Sequence, residues 1–91
     1  MKIGEVFKYK VNGRTQIIRK EKDYYIAHNS DEMATFLLDE ISFQVLKHTI
    51  NNSVERCKAS LAKKMRISLK MAGERIKRSQ QELRASSFLG K

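Results

Sequence analysis

The feature that most constrains this chain is a change of hydrophobic period at Asp39. Before it, apolar residues alternate or cluster in runs of five or six bounded by turn residues. After it, they recur every three or four residues. Alternation places successive side chains on opposite faces of a strand, whereas the longer period lines one face of a helix. In 91 residues this predicts one small α+β domain, 1–91: an antiparallel sheet of three or four strands followed by three helices.

In the sheet half, Val6, Phe7, Tyr9 and Val11 form a run ended by Asn12-Gly13, the dipeptide best suited to the positive φ angles of a two-residue hairpin. Thr15–Arg19 is the return strand, and Glu21-Lys22-Asp23 is a charged turn. Asp23–His28 follows as a third strand, closed by Asn29-Ser30-Asp31. The apolar run Met33–Leu38 fits a strand or a buried helical turn. Strand is preferred, because Asn29–Asp31 then makes an ordinary hairpin connection.

In the helical half, Asp39 is placed to cap a first helix carrying Ile41, Phe43, Val45, Leu46 and Ile50. That helix is apolar on most of its surface and is expected to be the most buried. Asn51-Asn52 ends it. Ser53 is the expected cap of a second helix with Val54, Cys57, Leu61 and Met65 on one stripe. A third helix begins between Ser68 and Gly73 and runs to about Ser86 on Ala72, Ile76 and Leu83, with Phe88 and Leu89 as a final apolar anchor.

Charge divides along the same line. Residues 1–45 hold seven basic and seven acidic residues, whereas 46–91 hold twelve basic against three acidic, so the whole net charge of +9 lies in the second half. An anionic partner is implied: nucleic acid, an acidic peptide or an acidic protein surface. No apolar run reaches the roughly 18 residues of a membrane span, and the N-terminus lacks a signal-peptide pattern, so a cytoplasmic protein is expected. The single Cys57 excludes an intrachain disulfide and a multi-cysteine zinc site.

Reactive constellations do not emerge. The four glycines are scattered, so there is no phosphate loop. His28 is expected at a strand end and His48 on an exposed helix face, without ligand spacing. Cys57 sits on an apolar stripe, where burial raises a thiol pKa. Asp31-Glu32 and Asp39-Glu40 occupy turn and cap positions. The expectation is a binding protein without catalysis, metal or cofactor. Two modes fit. A winged helix places its third helix in a DNA groove, with Arg75, Lys77, Arg78 and Arg84 neutralising phosphates. Alternatively, an extended peptide adds as a strand to an exposed sheet edge.

The segment Ile17–His28, then Met33–Leu38, Asp39 and the helix Glu40–Thr49 resembles the PqqD-like family, the peptide-recognition elements of ribosomal peptide modification pathways. Leu38-Asp39 stands where the family has Leu-Asn, and Asn51-Asn52 where it has Asp-Gly. Ser53-Val54 to Leu61 matches its second helix, and Leu83 with Phe88-Leu89 the close of its third. The resemblance covers residues 15–90. Residues 1–13 depart from it as an extra N-terminal strand, able to extend the sheet or cover its binding edge. The high positive charge is a second departure.

The resemblance implies a winged-helix-like fold that binds the leader segment of a precursor peptide by β-strand addition and presents it to a modifying enzyme, such as a radical enzyme or a cyclase. Carried over, the pairing strand is Met33–Leu38, with Met33, Thr35, Phe36, Leu37 and Leu38 as contacts. The groove wall is the third helix, with Arg75, Ile76, Arg78, Ser79 and Glu82. A winged-helix DNA-binding regulator is the alternative, and an adaptor using the same edge a third. The expected state is a monomer or a strand-swapped dimer.

Overall fold

A computed structural model describes residues 2–29, 34–86 and 88–89. Four strands, β1 (Val6–Val11), β2 (Arg14–Lys20), β3 (Tyr25–Asn29) and β4 (Ala34–Leu38), precede three helices, α1 (Glu40–Ile50), α2 (Val54–Met65) and α3 (Leu69–Ala85). The α+β class and the order of strands before helices follow the sequence pattern. The chain groups into two compact units, one reaching Phe43 and one running from Gln44 to Leu89, with the boundary inside α1.

In the first unit the strands lie in the order β1-β2-β3-β4, and each neighbouring pair is antiparallel. Asn12 and Gly13 both have positive φ (52° and 78°), and Val11 pairs with Arg14. This is the left-handed two-residue turn whose twist matches the flanking strands, and glycine enters it without a Cβ penalty. β3 begins at Tyr25 rather than Asp23. The charged turn reaches Tyr24, whose carbonyl accepts the Glu21 N–H at 2.9 Å. Met33, expected to open β4, lies outside the described residues, as does most of the Asn29–Asp31 turn.

Register assigns the sheet its two faces. Phe7, Ile18, Ala27 and Phe36 form one cross-strand row of the buried face, and Tyr25 pairs with Leu38 beside it. Ile18, Ala27, Tyr25 and Leu38 are all buried. Tyr25 stacks on Phe43 of α1 at 3.9 Å between ring centroids, and Phe7 meets Phe43 edge-on at 5.8 Å. Gln16 also lies on this face at 1% exposure, with no hydrogen-bond partner for its amide oxygen or nitrogen.

In the second unit, Leu46, Cys57, Leu61, Ala72, Ile76, Leu83, Phe88 and Leu89 are buried. After Glu40 no residue of α1 is fully exposed, in keeping with its apolar surface. α1 ends in a left-handed Asn52 (φ 54°), with Ser53 N–H bonded to the His48 carbonyl and Asn52 N–H to that of Thr49. Such a motif satisfies carbonyls that the last helical turn leaves unpaired. α2 packs on α3, where Gly73 leaves room for the aliphatic stem of Lys58. Gln80 of α3 donates to Thr49 Oγ1 of α1 at 3.0 Å.

Two expectations need correction. Ser53 stands before α2 but makes no side-chain capping bond. Its hydroxyl instead lies 2.7 Å from His48 Nδ1, because the tight α1–α2 corner brings that ring beside it. For the same reason His48 is half-buried rather than exposed.

Candidate functional site: an uncharged sheet edge

β1 and β4 are the two edges of the sheet. The extra N-terminal strand, β1, therefore extends the sheet on the side away from β4 and does not cover the β4 edge. The edges differ in chemistry. β1 carries Lys8 and Lys10, both exposed. Lysines of this kind discourage the approach of another strand. β4 reads Ala-Thr-Phe-Leu-Leu, without a charge, a proline or a break in register. Every second residue of an edge strand directs its N–H and C=O away from its neighbour, ready to pair with an incoming chain.

The alternation along β4 is resolved by its register. Phe36 and Leu38 share the buried face with Ala27 and Tyr25, Leu38 being buried and Phe36 half-buried. Thr35 and Leu37 are on the opposite face. Leu37 is 68% exposed. It ends a cross-strand row that runs Val6, Arg19, Ile26, Leu37, and the adjacent row runs Lys8, Ile17, His28, Thr35. A strand added beyond β4 thus meets Leu37 and Thr35 on the open face and Phe36 on the other.

The remaining candidates belong to α3, in the second unit. Arg75, Arg78 and Glu82 are exposed and Ser79 is half-buried. Ile76 is 2% exposed on the helix's apolar stripe. Its side chain serves packing and is not offered to a ligand. Arg78 Nε lies 3.9 Å from Glu82 Oε1, an i,i+4 pair open to solvent that contributes little to stability.

Other chemistry is sparse. Burial raises the Cys57 thiol pKa, as its place on the apolar stripe implied, and so disfavours the nucleophilic thiolate. Among the described residues no His, Cys, Asp and Glu side chains gather as a metal site. An open concavity of about 590 Å³ at the α1–α2 corner is lined by Asn51, Asn52, Ser53, Val54, Glu55 and Arg56. Its one hydroxyl, that of Ser53, is engaged by His48.

The fold therefore defines a small α+β protein whose sheet has one lysine-bearing edge strand and one uncharged edge strand. No family model, curated protein or solved structure matches the chain. Among the described residues, no helix is long and apolar enough to cross a membrane.

Proposed function

We propose that this protein is a non-catalytic recognition element that binds the leader segment of a ribosomally made precursor peptide as a fifth strand on β4. The bound leader is then presented to a modifying enzyme. The observation that carries this reading is the contrast between the edges: lysines stand on β1, whereas β4 is uncharged and exposes Leu37. Backbone pairing supplies affinity in such an addition, and alternate side chains supply selectivity. The resemblance of Ile17–Thr49 to the PqqD-like family points to the same class of ligand.

The test is titration of synthetic leader segments, taken from short reading frames adjacent to the gene, into labelled protein. Amide shifts concentrated on Ala34–Leu38 and its partner strand β3 are expected. Shifts confined to β1, or none with any segment, would remove β4 as the binding edge.

A further inference from the structure

The helical unit carries a second surface that peptide addition to the sheet does not use. Between Glu55 and Glu74 the chain holds six cations, Arg56, Lys58, Lys63, Lys64, Arg66 and Lys70, and no carboxylate. All but the half-buried Lys58 are exposed, and no ion pair engages any of the six among the described residues. The basic residues of α3 beyond this stretch are interleaved with Glu74 and Glu82, and Arg78 is turned toward Glu82.

Local helix preference does not account for these positions. A helix N-terminus carries partial positive charge and favours carboxylates, while its C-terminus favours cations. Lys63 and Lys64 in the last turn of α2 suit that rule. Arg56 in the first turn of α2 and Lys70 in the first turn of α3 oppose it, and α3 has no acidic residue in its first turn. These cations stand where the helix itself would prefer an anion.

Arg56, Ser60 and Lys63 stand at i, i+4 and i+7, and so share one face of α2. Ala59 and Ser60 occupy the space between the two cations, and all four residues are exposed. At a rise of about 1.5 Å per residue, Arg56 and Lys63 are roughly 10 Å apart along the axis. A small, polar centre flanked by cations admits a charged backbone closely. It has no aromatic or large aliphatic residue of the kind that anchors protein interfaces. We infer that the outer face of α2, through Arg56, Ser60 and Lys63, binds the phosphate backbone of a nucleic acid. The contacts are charge-assisted and carry no base selectivity.

The experiment uses the full chain and a fluorescein-labelled 20-base-pair DNA duplex of arbitrary sequence, read by anisotropy from 50 to 200 mM salt. The two cations, Arg56 and Lys63, contribute about −1.8 to the log–log slope, a loss of about 12-fold in affinity over that range. Arg56→Ala/Lys63→Ala, both exposed and checked for folding by circular dichroism, is expected to make the slope shallower by about 1.8. It is also expected to weaken binding at 50 mM at least tenfold. Lys77→Ala/Arg84→Ala removes the same charge from α3 and is expected to change affinity less than threefold. Equal losses from the two pairs, or no binding at 50 mM salt, would overturn the assignment. Binding of poly-glutamate as tight as that of the duplex would move the surface to an acidic polypeptide, and so also overturn it.

Discussion

Tyr25 donates its hydroxyl hydrogen to Glu40 Oε2 at 2.7 Å, joining the first residue of β3 to the first residue of α1. The ring is held from both sides: Phe43 stacks on one face, and Lys20 Nζ lies 4.4 Å from the ring centroid. Lys20 also reaches Glu40 at 3.6 Å. Sheet and helix are thus fastened by a phenol, a carboxylate and an ammonium around one buried ring. Tyr25→Phe keeps the stack and removes only the hydroxyl. It is expected to cost about 1.5–3 kcal/mol, the range for a hydrogen bond to a charged group, in urea unfolding with an unchanged m-value.

The same phenol makes stability depend on high pH. Burial, and then the hydrogen bond and charge of Glu40, raise the Tyr25 pKa above its ordinary 10.0, and burial alone raises that of Tyr9. A raised folded pKa means that the folded state holds its proton while the unfolded chain loses it. The contribution is therefore complete below pH 10 and is lost as pH rises beyond. Each such tyrosine lowers stability by about 1.4 kcal/mol per pH unit above that point. Urea midpoints between pH 8.5 and 11 are expected to fall less steeply for Tyr25→Phe than for the parent.

The caps separate two positions, Asp39 and Ser53, that both read as helix starts in the sequence. Asp39 Oδ1 accepts the Ser42 N–H at 2.7 Å, so Asp39→Ala is expected to cost about 1 kcal/mol. Ser53 makes no such bond and holds His48 instead. Ser53→Gly retains a backbone tolerated at a cap but loses that contact. It is therefore expected to cost less than Asp39→Ala, because glycine is itself accepted before a helix and no capping bond is lost. Thermal melts of both variants check the distinction.

Much of this architecture is legible in the sequence. Asn12-Gly13 has a conformational reason to turn, and Asp39 stands before an apolar period of three to four. Both are local rules, and the structure follows them. What was not legible depends on neighbours distant in sequence. Which alternate residues of β4 face inward is set by its register with β3, not by its own composition. The Ser53 hydroxyl has two acceptable partners, and the geometry of the α1–α2 corner selects His48. Gln16 occupies a buried row position although its side chain gives no sign of burial; its place follows from lying two residues before Ile18 on the same face. At the candidate site, the run Ala34–Leu38 was apparent, but the protection of the opposite edge by β1 required the strand order.

Gly73 offers a stabilising substitution. It lies within α3, where glycine costs roughly 0.5–1 kcal/mol relative to alanine through its greater freedom in the unfolded chain. A methyl group there would meet Lys58 Cε at 3.4 Å, the far end of a flexible side chain. Gly73→Ala is expected to raise stability by about 0.5–1 kcal/mol, read as a higher urea midpoint at constant m-value. A drop in stability would mean that Lys58 cannot move aside.

Leu37 gives the sharpest test of the sheet edge. Its side chain stands on the open face, 68% exposed, so replacing it removes little buried contact. Leu37→Lys places on β4 the same device that protects β1, a charge beside the unpaired backbone groups. The variant is expected to unfold within about 0.5 kcal/mol of the parent, as surface changes usually do, while leader binding weakens at least tenfold. Leu38→Lys is a deliberate contrast. It puts a charge on the buried face opposite Tyr25 and is expected to destabilise the fold itself. Peptide titration and urea unfolding of the two variants together separate the edge from the core. Unchanged leader affinity in folded Leu37→Lys would exclude β4 as the pairing strand.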